Sequence, residues 1–134
     1  MTKYLLDTNI LIYTIKNRPE QVRKIFNQHA GQMAISTITQ GELIFGAERS
    51  IQPEKNLADI EGLIARLLVL DFDSEAANHF GQIRAELYSQ GQPIEPYDMM
   101  IAGHARSKGL ILVTNNTKEF ERVHGLRLEN WVNT

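Results

Sequence analysis

The chain has no cysteine in its 134 residues and no apolar run long enough to cross a bilayer. The lack of cysteine excludes disulfides and thiolate metal sites, and the short apolar runs exclude a membrane-spanning helix. The N-terminal stretch MTKYLLDTN lacks the form of a signal peptide, because its apolar run is brief and ends at an acid. We therefore expect a soluble cytoplasmic protein with no membrane partner.

The chain also lacks a strong charge of either sign, an internal repeat and a long linker. Its net charge of −2 argues neither for nor against nucleic acid as a partner. With 43% hydrophobic residues, a chain of this size can bury a core of its own. We predict a single domain over residues 1–134.

Apolar strands alternate with amphipathic helices along the whole chain. Thr39 is a candidate cap for the third helix, in which Leu43, Ile44 and Ala47 form an apolar stripe. Near-continuous apolar strands predict a parallel sheet of four to five strands covered by helices on both faces, a three-layer α/β/α fold. The predicted strands span 3–7, 32–36, 67–72, 110–114 and 126–131. The predicted helices span 9–16, 19–30, 40–49, 53–67, 74–88, 97–109 and 117–123.

Four acids follow predicted strands or begin the adjoining helices: Asp7, Glu42, Asp98 and Glu119. Ligands of such folds bind beyond the carboxyl ends of the strands. Each acid also has a plainer interpretation. Asp7 could cap a helix, and Glu42 could be an exposed helical residue. Asp98 and Glu119 could each interact favourably with the dipole of the helix that they begin. Carboxylates brought together repel, so they persist together with a cation between them.

The polar residues around these acids favour a hard cation. Without cysteine or paired histidines, oxygen ligands favour Mg²⁺ or Mn²⁺ over zinc. The four histidines show no metal-binding spacing and are expected to be surface or partly buried residues. Neither a phosphate-binding glycine loop nor a serine-hydrolase motif is present. Supporting hydrogen bonds would come from Thr8, Asn9, Thr114 and Asn116.

Four blocks in order resemble the PIN-domain ribonucleases: DTNILIY, STITQGELIFGA, PYDMMIAGHA and LVTNNTKEFERVHGLRLENW. Among these enzymes, the chain is most similar to the VapC toxins of type II toxin–antitoxin pairs. The resemblance covers nearly the whole chain and implies a PIN-like fold. It implies that Asp7, Glu42, Asp98 and Glu119 are the catalytic, metal-binding acids, with the match loosest at Glu119. Thr114 and Asn116 match the family's hydroxyl and amide.

The resemblance also implies a reaction and partners. The reaction is Mg²⁺-dependent hydrolysis of RNA, with Mn²⁺ as a substitute, leaving a 5′-phosphate and a 3′-hydroxyl. The expected substrate is a structured RNA such as a tRNA anticodon stem-loop. A cognate VapB antitoxin would inhibit a homodimeric toxin within a larger complex, and operator DNA would be bound only through the antitoxin. The groove on the toxin that receives the antitoxin could be lined by apolar residues of the early helices, although ordinary core packing is the favoured interpretation for any one of them: Leu11, Ile12, Tyr13, Phe26, Leu57, Ile60 and Ile64.

Three other functions fit parts of this pattern. A haloacid-dehalogenase-type phosphatase also has an Asp after its first strand, but it needs a second Asp where this chain has Asn9. A receiver-like phospho-acceptor module would need a Lys after a later strand, which LVTNN does not provide. A catalytically silent PIN-like binding module would keep the fold without the four acids, all of which are present here.

Overall fold

Five short strands form one all-parallel sheet in a computed structural model that describes residues 1–132. Their order is β3-β2-β1-β4-β5, which confirms the predicted α/β fold with its central parallel sheet. The strands are β1 (Tyr4–Leu6), β2 (Met33–Ser36), β3 (Leu68–Leu70), β4 (Ile111–Val113) and β5 (Leu128–Glu129). The helices are α1 (Thr8–Lys16), α2 (Glu20–Gln28), α3 (Thr37–Glu48), α4 (Pro53–Ile64), α5 (Ser74–Ser89), α6 (Pro96–Ser107) and α7 (Thr117–Phe120).

Strand β1 lies at the centre of the sheet and is buried on both faces. Tyr4 and Leu6 pack into one hydrophobic cluster and Leu5 into the other, because successive side chains of a strand point to opposite faces. The first cluster takes buried residues from α1 to α4, and the second takes them from α5 to α7. Helices therefore cover both faces of the sheet. No helix among residues 1–132 has the length and apolar character that a membrane span requires.

Side chains at the carboxyl ends of the strands start several helices. Asp7 caps α1 and Ser36 caps α3, each by accepting a hydrogen bond from a backbone N–H in the first turn. The prediction that Thr39 caps the third helix is wrong. Ser36 already caps it at the end of β2, so the helix begins two residues before Thr39, which is fully buried inside it.

The apolar stripe predicted for α3 is correct at Leu43 and Ala47 and wrong at Ile44, which is 40% exposed. Ile44 is one residue, about 100° of helix, beyond Leu43 and turns away from the core. Several element ends also differ from prediction by a few residues. The last strand is shortened to Leu128–Glu129 because it pairs only with the three-residue β4.

Helices α5 and α6 pack closely at Gly103. A Cβ atom added to this residue would lie 2.7 Å from the backbone N of Phe80 and 2.9 Å from its Cα. Backbone atoms cannot rotate away as a side chain can, so glycine is required for this distance between the helices. The contact fixes α6, which carries Asp98, against the rest of the domain.

Gly103→Ala should therefore lower the free energy of unfolding by about 2 kcal/mol, because the added methyl group separates α5 from α6. Urea denaturation followed by circular dichroism measures the change. Gly81→Ala in α5 is the matched control: open space surrounds Gly81, so the same substitution should stabilise by about 0.5–1 kcal/mol through helix propensity. Equal effects of the two substitutions would contradict the packing argument.

Candidate active site

Asp7 follows the central strand and is 5% exposed. Its Oδ1 accepts a hydrogen bond from the N–H of Ile10 at 3.0 Å, so the capping interpretation is confirmed. Burial raises the pKa of Asp7 to about 6, with a smaller rise from Glu42 and opposing hydrogen bonds led by the Thr114 hydroxyl. Capping therefore only partly compensates for the burial of this carboxylate, and the group retains a need for positive charge.

Glu42 reaches the same edge of the sheet from the second turn of α3. The Thr8 hydroxyl donates to its Oε1 at 2.7 Å, across the gap between α1 and α3. Partial burial raises the pKa of Glu42, the Thr8 hydrogen bond lowers it, and the nearby Glu95 carboxylate raises it. Thr8 thus fixes the direction in which Glu42 points.

Asp98 lies in the first turn of α6, at the centre of the acidic residues. Its pKa is raised to about 7, first by burial and then by the charges of Glu95, Asp7, Glu42 and Glu119, in that order. All four predicted acids therefore interact electrostatically at one place. The tertiary fold brings together Asp7 and Glu119, which are 112 positions apart in the sequence.

The fourth acid, Glu119, lies on α7 and is oriented by the loop that follows β4. The Asn116 side-chain amide donates to Oε2 of Glu119 at 2.9 Å, and the Asn116 backbone N–H donates to the Thr114 hydroxyl at 2.9 Å. Thr114 in turn contacts Asp7, so a chain of hydrogen bonds joins the two acids. Asn9 is exposed, and its backbone N–H donates to the Asp7 carboxylate.

The donor set suits a hard divalent cation that keeps part of its water shell. Within residues 1–132, no three acidic side chains converge closely enough to hold one ion by direct contact. Asp7, Glu42 and Glu119 are each held by a hydrogen bond within the protein. Mg²⁺ commonly uses only one or two carboxylates and several waters, so this arrangement fits that ion.

Glu95 is a fifth acid at the site that sequence reasoning missed. Its Oε2 accepts the N–H of Asp98 at 3.1 Å and caps α6, while Pro96 occupies the first helical position. The sequence does contain a signal for this role: Glu95 is followed by Pro96 and, three positions after Glu95, by Asp98, a pattern typical of a helix start. Capping places the Glu95 carboxylate beside Asp98.

His104 also differs from its predicted environment, since it is completely buried rather than at or near the surface. Helix α6 packs against α5, α3 and the sheet, which leaves this side chain no route to solvent. Its Nδ1 lies 2.8 Å from the Ser36 hydroxyl. No motif in the sequence links these two residues.

A parallel α/β sheet with acids gathered at the carboxyl ends of its strands is the arrangement expected of a PIN domain. The family model for the PIN domain matches residues 4–126. The "tRNA(fMet)-specific endonuclease VapC" of Shigella flexneri is 63% identical over 131 residues, covering 98% of this chain and 99% of that protein. "Ribonuclease VapC2" of Haemophilus influenzae is 57% identical over 132 residues, covering 98% and 100%. The chain belongs to the VapC ribonucleases of the PIN domain family.

Solved structures agree with this assignment. The toxin in the DNA-bound VapBC complex of Salmonella typhimurium has a TM-score of 0.94 and 60% identity, covering 98% of this chain and 99% of that one. The corresponding chain of VapBC2 from Rickettsia felis, bound to a promoter fragment, has a TM-score of 0.91 and 36% identity, covering 97% and 99%. The resemblance identified from the sequence blocks is therefore confirmed at the level of the family and the fold.

Asp98→Asn should stabilise the metal-free fold by about 1 kcal/mol at pH 8. The folded-state pKa of about 7 exceeds the ordinary value of 3.8. The penalty for charging Asp98 therefore grows from about pH 4 to pH 7, is complete above pH 7 and is absent below pH 4. Thermal denaturation in EDTA at pH 8 and pH 4 measures the difference.

The control for this measurement is Asp71→Asn, which removes an exposed acid that follows β3. It should change stability by less than about 0.5 kcal/mol at either pH. If Asp98→Asn raised the stability equally at both pH values, the penalty could not come from the charge of Asp98, and the assignment of repulsion at the site would be contradicted.

Proposed function

We propose that this VapC ribonuclease cleaves a tRNA at the acidic site formed by Asp7, Glu42, Asp98 and Glu119, with a divalent cation bound there. The observation that carries the proposal is the placement of Asp98 among four other carboxylates, whose charges add to the effect of burial in raising its pKa to about 7. A polyanionic substrate would be repelled from such a cluster unless a cation reversed the local field. Metal binding therefore follows from the need to bind RNA here.

In this proposal Asp7, Glu42 and Asp98 hold Mg²⁺ directly or through water, and Mn²⁺ substitutes for it. When bound, the cation supplies positive charge for the scissile phosphate and acidifies an attacking water. Glu119 orients that water or completes a second, weaker cation position. Expected products are a 5′-phosphate and a 3′-hydroxyl.

The neighbouring polar residues serve to orient the acids. Thr8 directs Glu42 by its 2.7 Å hydrogen bond. Thr114 contacts Asp7, and Asn116 holds Glu119 at 2.9 Å. Such contacts fix ligand geometry and typically alter metal affinity or activity when removed. Asn9, exposed beside Asp7, is proposed to contact a phosphate or water.

The proposed substrate is tRNA(fMet). The Shigella flexneri relative is named for specificity toward that tRNA, and so is a second relative from Salmonella typhimurium at 60% identity. The two alignments cover 98% of the chain, so they span the site and the surface around it. Cleavage in the anticodon stem-loop is part of the proposal.

An antitoxin of the VapB type is the proposed inhibitor. A groove of about 260 Å³ between α1, α3 and α4 starts at Glu42 and has an apolar lining that includes Ile12, Ile15 and Ile60. An amphipathic antitoxin segment fits this groove, with a basic side chain at its Glu42 end. Of the candidate lining residues, Leu11 and Phe26 are fully buried in the core, so the core interpretation is confirmed for these two.

The assembly proposed for the toxin follows the VapBC complexes. Those of Salmonella typhimurium and Rickettsia felis were solved with DNA. We propose that this chain forms a homodimer within a larger toxin–antitoxin complex and that operator DNA contacts only the antitoxin.

Asp7→Asn tests the site assignment without removing the helix cap, since Asn also accepts the hydrogen bond of a first-turn N–H. The parent, freed of antitoxin, should cleave tRNA(fMet) in Mg²⁺ and stop when EDTA is added. Asp7→Asn should cleave at least about 100-fold more slowly because the cation loses a charged ligand. Gel analysis of the RNA with mapping of the new 5′ ends measures both rates.

Asp71→Asn serves as the control and should cleave as the parent does. Equal cleavage by the parent and Asp7→Asn would overturn the site assignment. If neither cleaved RNA although the parent bound Mn²⁺, the catalytically silent binding module would be favoured.

Ile12→Ala tests the antitoxin groove. It should weaken antitoxin binding about fivefold to thirtyfold, the effect of truncating an apolar contact worth about 1–2 kcal/mol. Calorimetric titration with the antitoxin measures the affinity. Leu68→Ala removes an apolar side chain that is 49% exposed on β3, outside the groove, and should leave the affinity unchanged. A larger effect of Leu68→Ala would place the antitoxin elsewhere.

A further inference from the structure

The hydrogen bond between Ser36 and His104 joins two helices that carry proposed metal ligands. Ser36 caps α3, which carries Glu42, and His104 lies on α6, which carries Asp98. Both residues are completely buried. Among residues 1–132, no other side-chain hydrogen bond connects α3 or its cap with α6. This single contact therefore supplies the directional link between the helices.

The bond between Ser36 and His104 lies equally far along the two helices from Glu42 and from Asp98. Glu42 follows Ser36 by six residues, and Asp98 precedes His104 by six. At 1.5 Å per residue, each acid is about 9 Å along its helix from the bond. A rotation of either helix by about 10° at the bond would move its acid by about 1.5 Å. Displacements of that size are large for a site that must hold a cation.

Histidine is a costly choice for this position if packing is its only role. Its Nε2 is buried without a hydrogen-bond partner among the described residues, and an unpaired polar atom in the interior destabilises a fold. An apolar side chain would pack against Phe72, whose ring contacts His104 edge-on with centroids 5.5 Å apart, and would avoid that cost. The directional bond to Ser36 is what an apolar residue could not provide.

The imidazole ring of His104 makes this hydrogen bond in its neutral form. Burial lowers the pKa of His104, opposed by Asp73 and Asp71 and reinforced by Lys108. A neutral ring does not alter the electrostatics of the acids, so its effect on them is geometric.

We propose that His104 is a positioning residue of the ribonuclease site: its bond to Ser36 fixes α3 against α6 and thereby sets the affinity of the acids for a divalent cation. The inference rests on the proposed function, because it assumes that Glu42 and Asp98 bind the same ion. Removing the bond should weaken cation binding beyond what the lost stability explains.

Mn²⁺ titration of the full chain without antitoxin, with free Mn²⁺ followed by electron paramagnetic resonance, tests the inference. His104→Leu, which fills the space without a polar atom, should weaken Mn²⁺ binding about tenfold, the lower end of the effects seen for supporting contacts of metal ligands. His104→Asn places a polar atom near the Nδ1 position and should restore affinity to within about threefold of the parent. Ser36→Ala removes the other partner and should resemble His104→Leu, so the test stands even if one variant fails to fold.

Ile101→Val is the matched control, because it removes one methyl group from a buried residue of α6 that takes no part in the bond. It should lower the melting temperature while leaving Mn²⁺ affinity unchanged. Equal affinity of the parent, His104→Leu and Ser36→Ala would overturn this inference alone, as would an equal loss in His104→Leu and His104→Asn. A parent that binds no Mn²⁺ would overturn the proposed function and this inference with it.

Discussion

Repulsion between carboxylates at one edge of the sheet is the constraint that explains the polar structure of this domain. Parallel pairing brings the carboxyl ends of β1, β2 and β4 to the same edge, and acids follow these strands or lie on the adjoining helices. Burial and mutual repulsion then raise the pKa of Asp7 and Asp98 toward neutrality. Thr8 donates a hydrogen bond to Glu42, Thr114 bonds to Asp7, and Asn116 bonds to Glu119 and to Thr114.

Two apolar clusters on the faces of the sheet stabilise the fold against the repulsion between the acids at this edge. Neither cluster depends on the acids, since their residues lie on the strands and on the inner faces of the helices. The close contact at Gly103 fixes α6 on α5, and the bond between Ser36 and His104 aligns it with α3. Stability is thus supplied by apolar packing, while a few directional contacts place the charged groups. Sites with perturbed pKa values are commonly built in this way.

Most of the fold could be predicted from the sequence, and the failures have identifiable physical causes. The apolar run before Asp7 predicts a buried strand, and helix capping is one of the two interpretations that the sequence offers for the acid, because both depend on neighbouring residues. The sequence predicts Thr39 as the cap although Ser36 occupies that position, since several hydroxyl residues near a helix start are equivalent without the backbone geometry. His104 was expected near the surface because its burial depends on the packing of α6 between α5 and α3.

The sequence by itself determined the alternation of strands and helices, the family and the four acids at the ends of these elements. These features are local: they follow from periodicity, capping chemistry and short motifs. Only the tertiary structure decided that Glu95 joins the acids, which of the apolar residues of the early helices lie in the core and which line the groove, and that Ser36 meets His104. Each of these depends on the distance between segments far apart in the chain, which is set by packing and is not encoded at any one position.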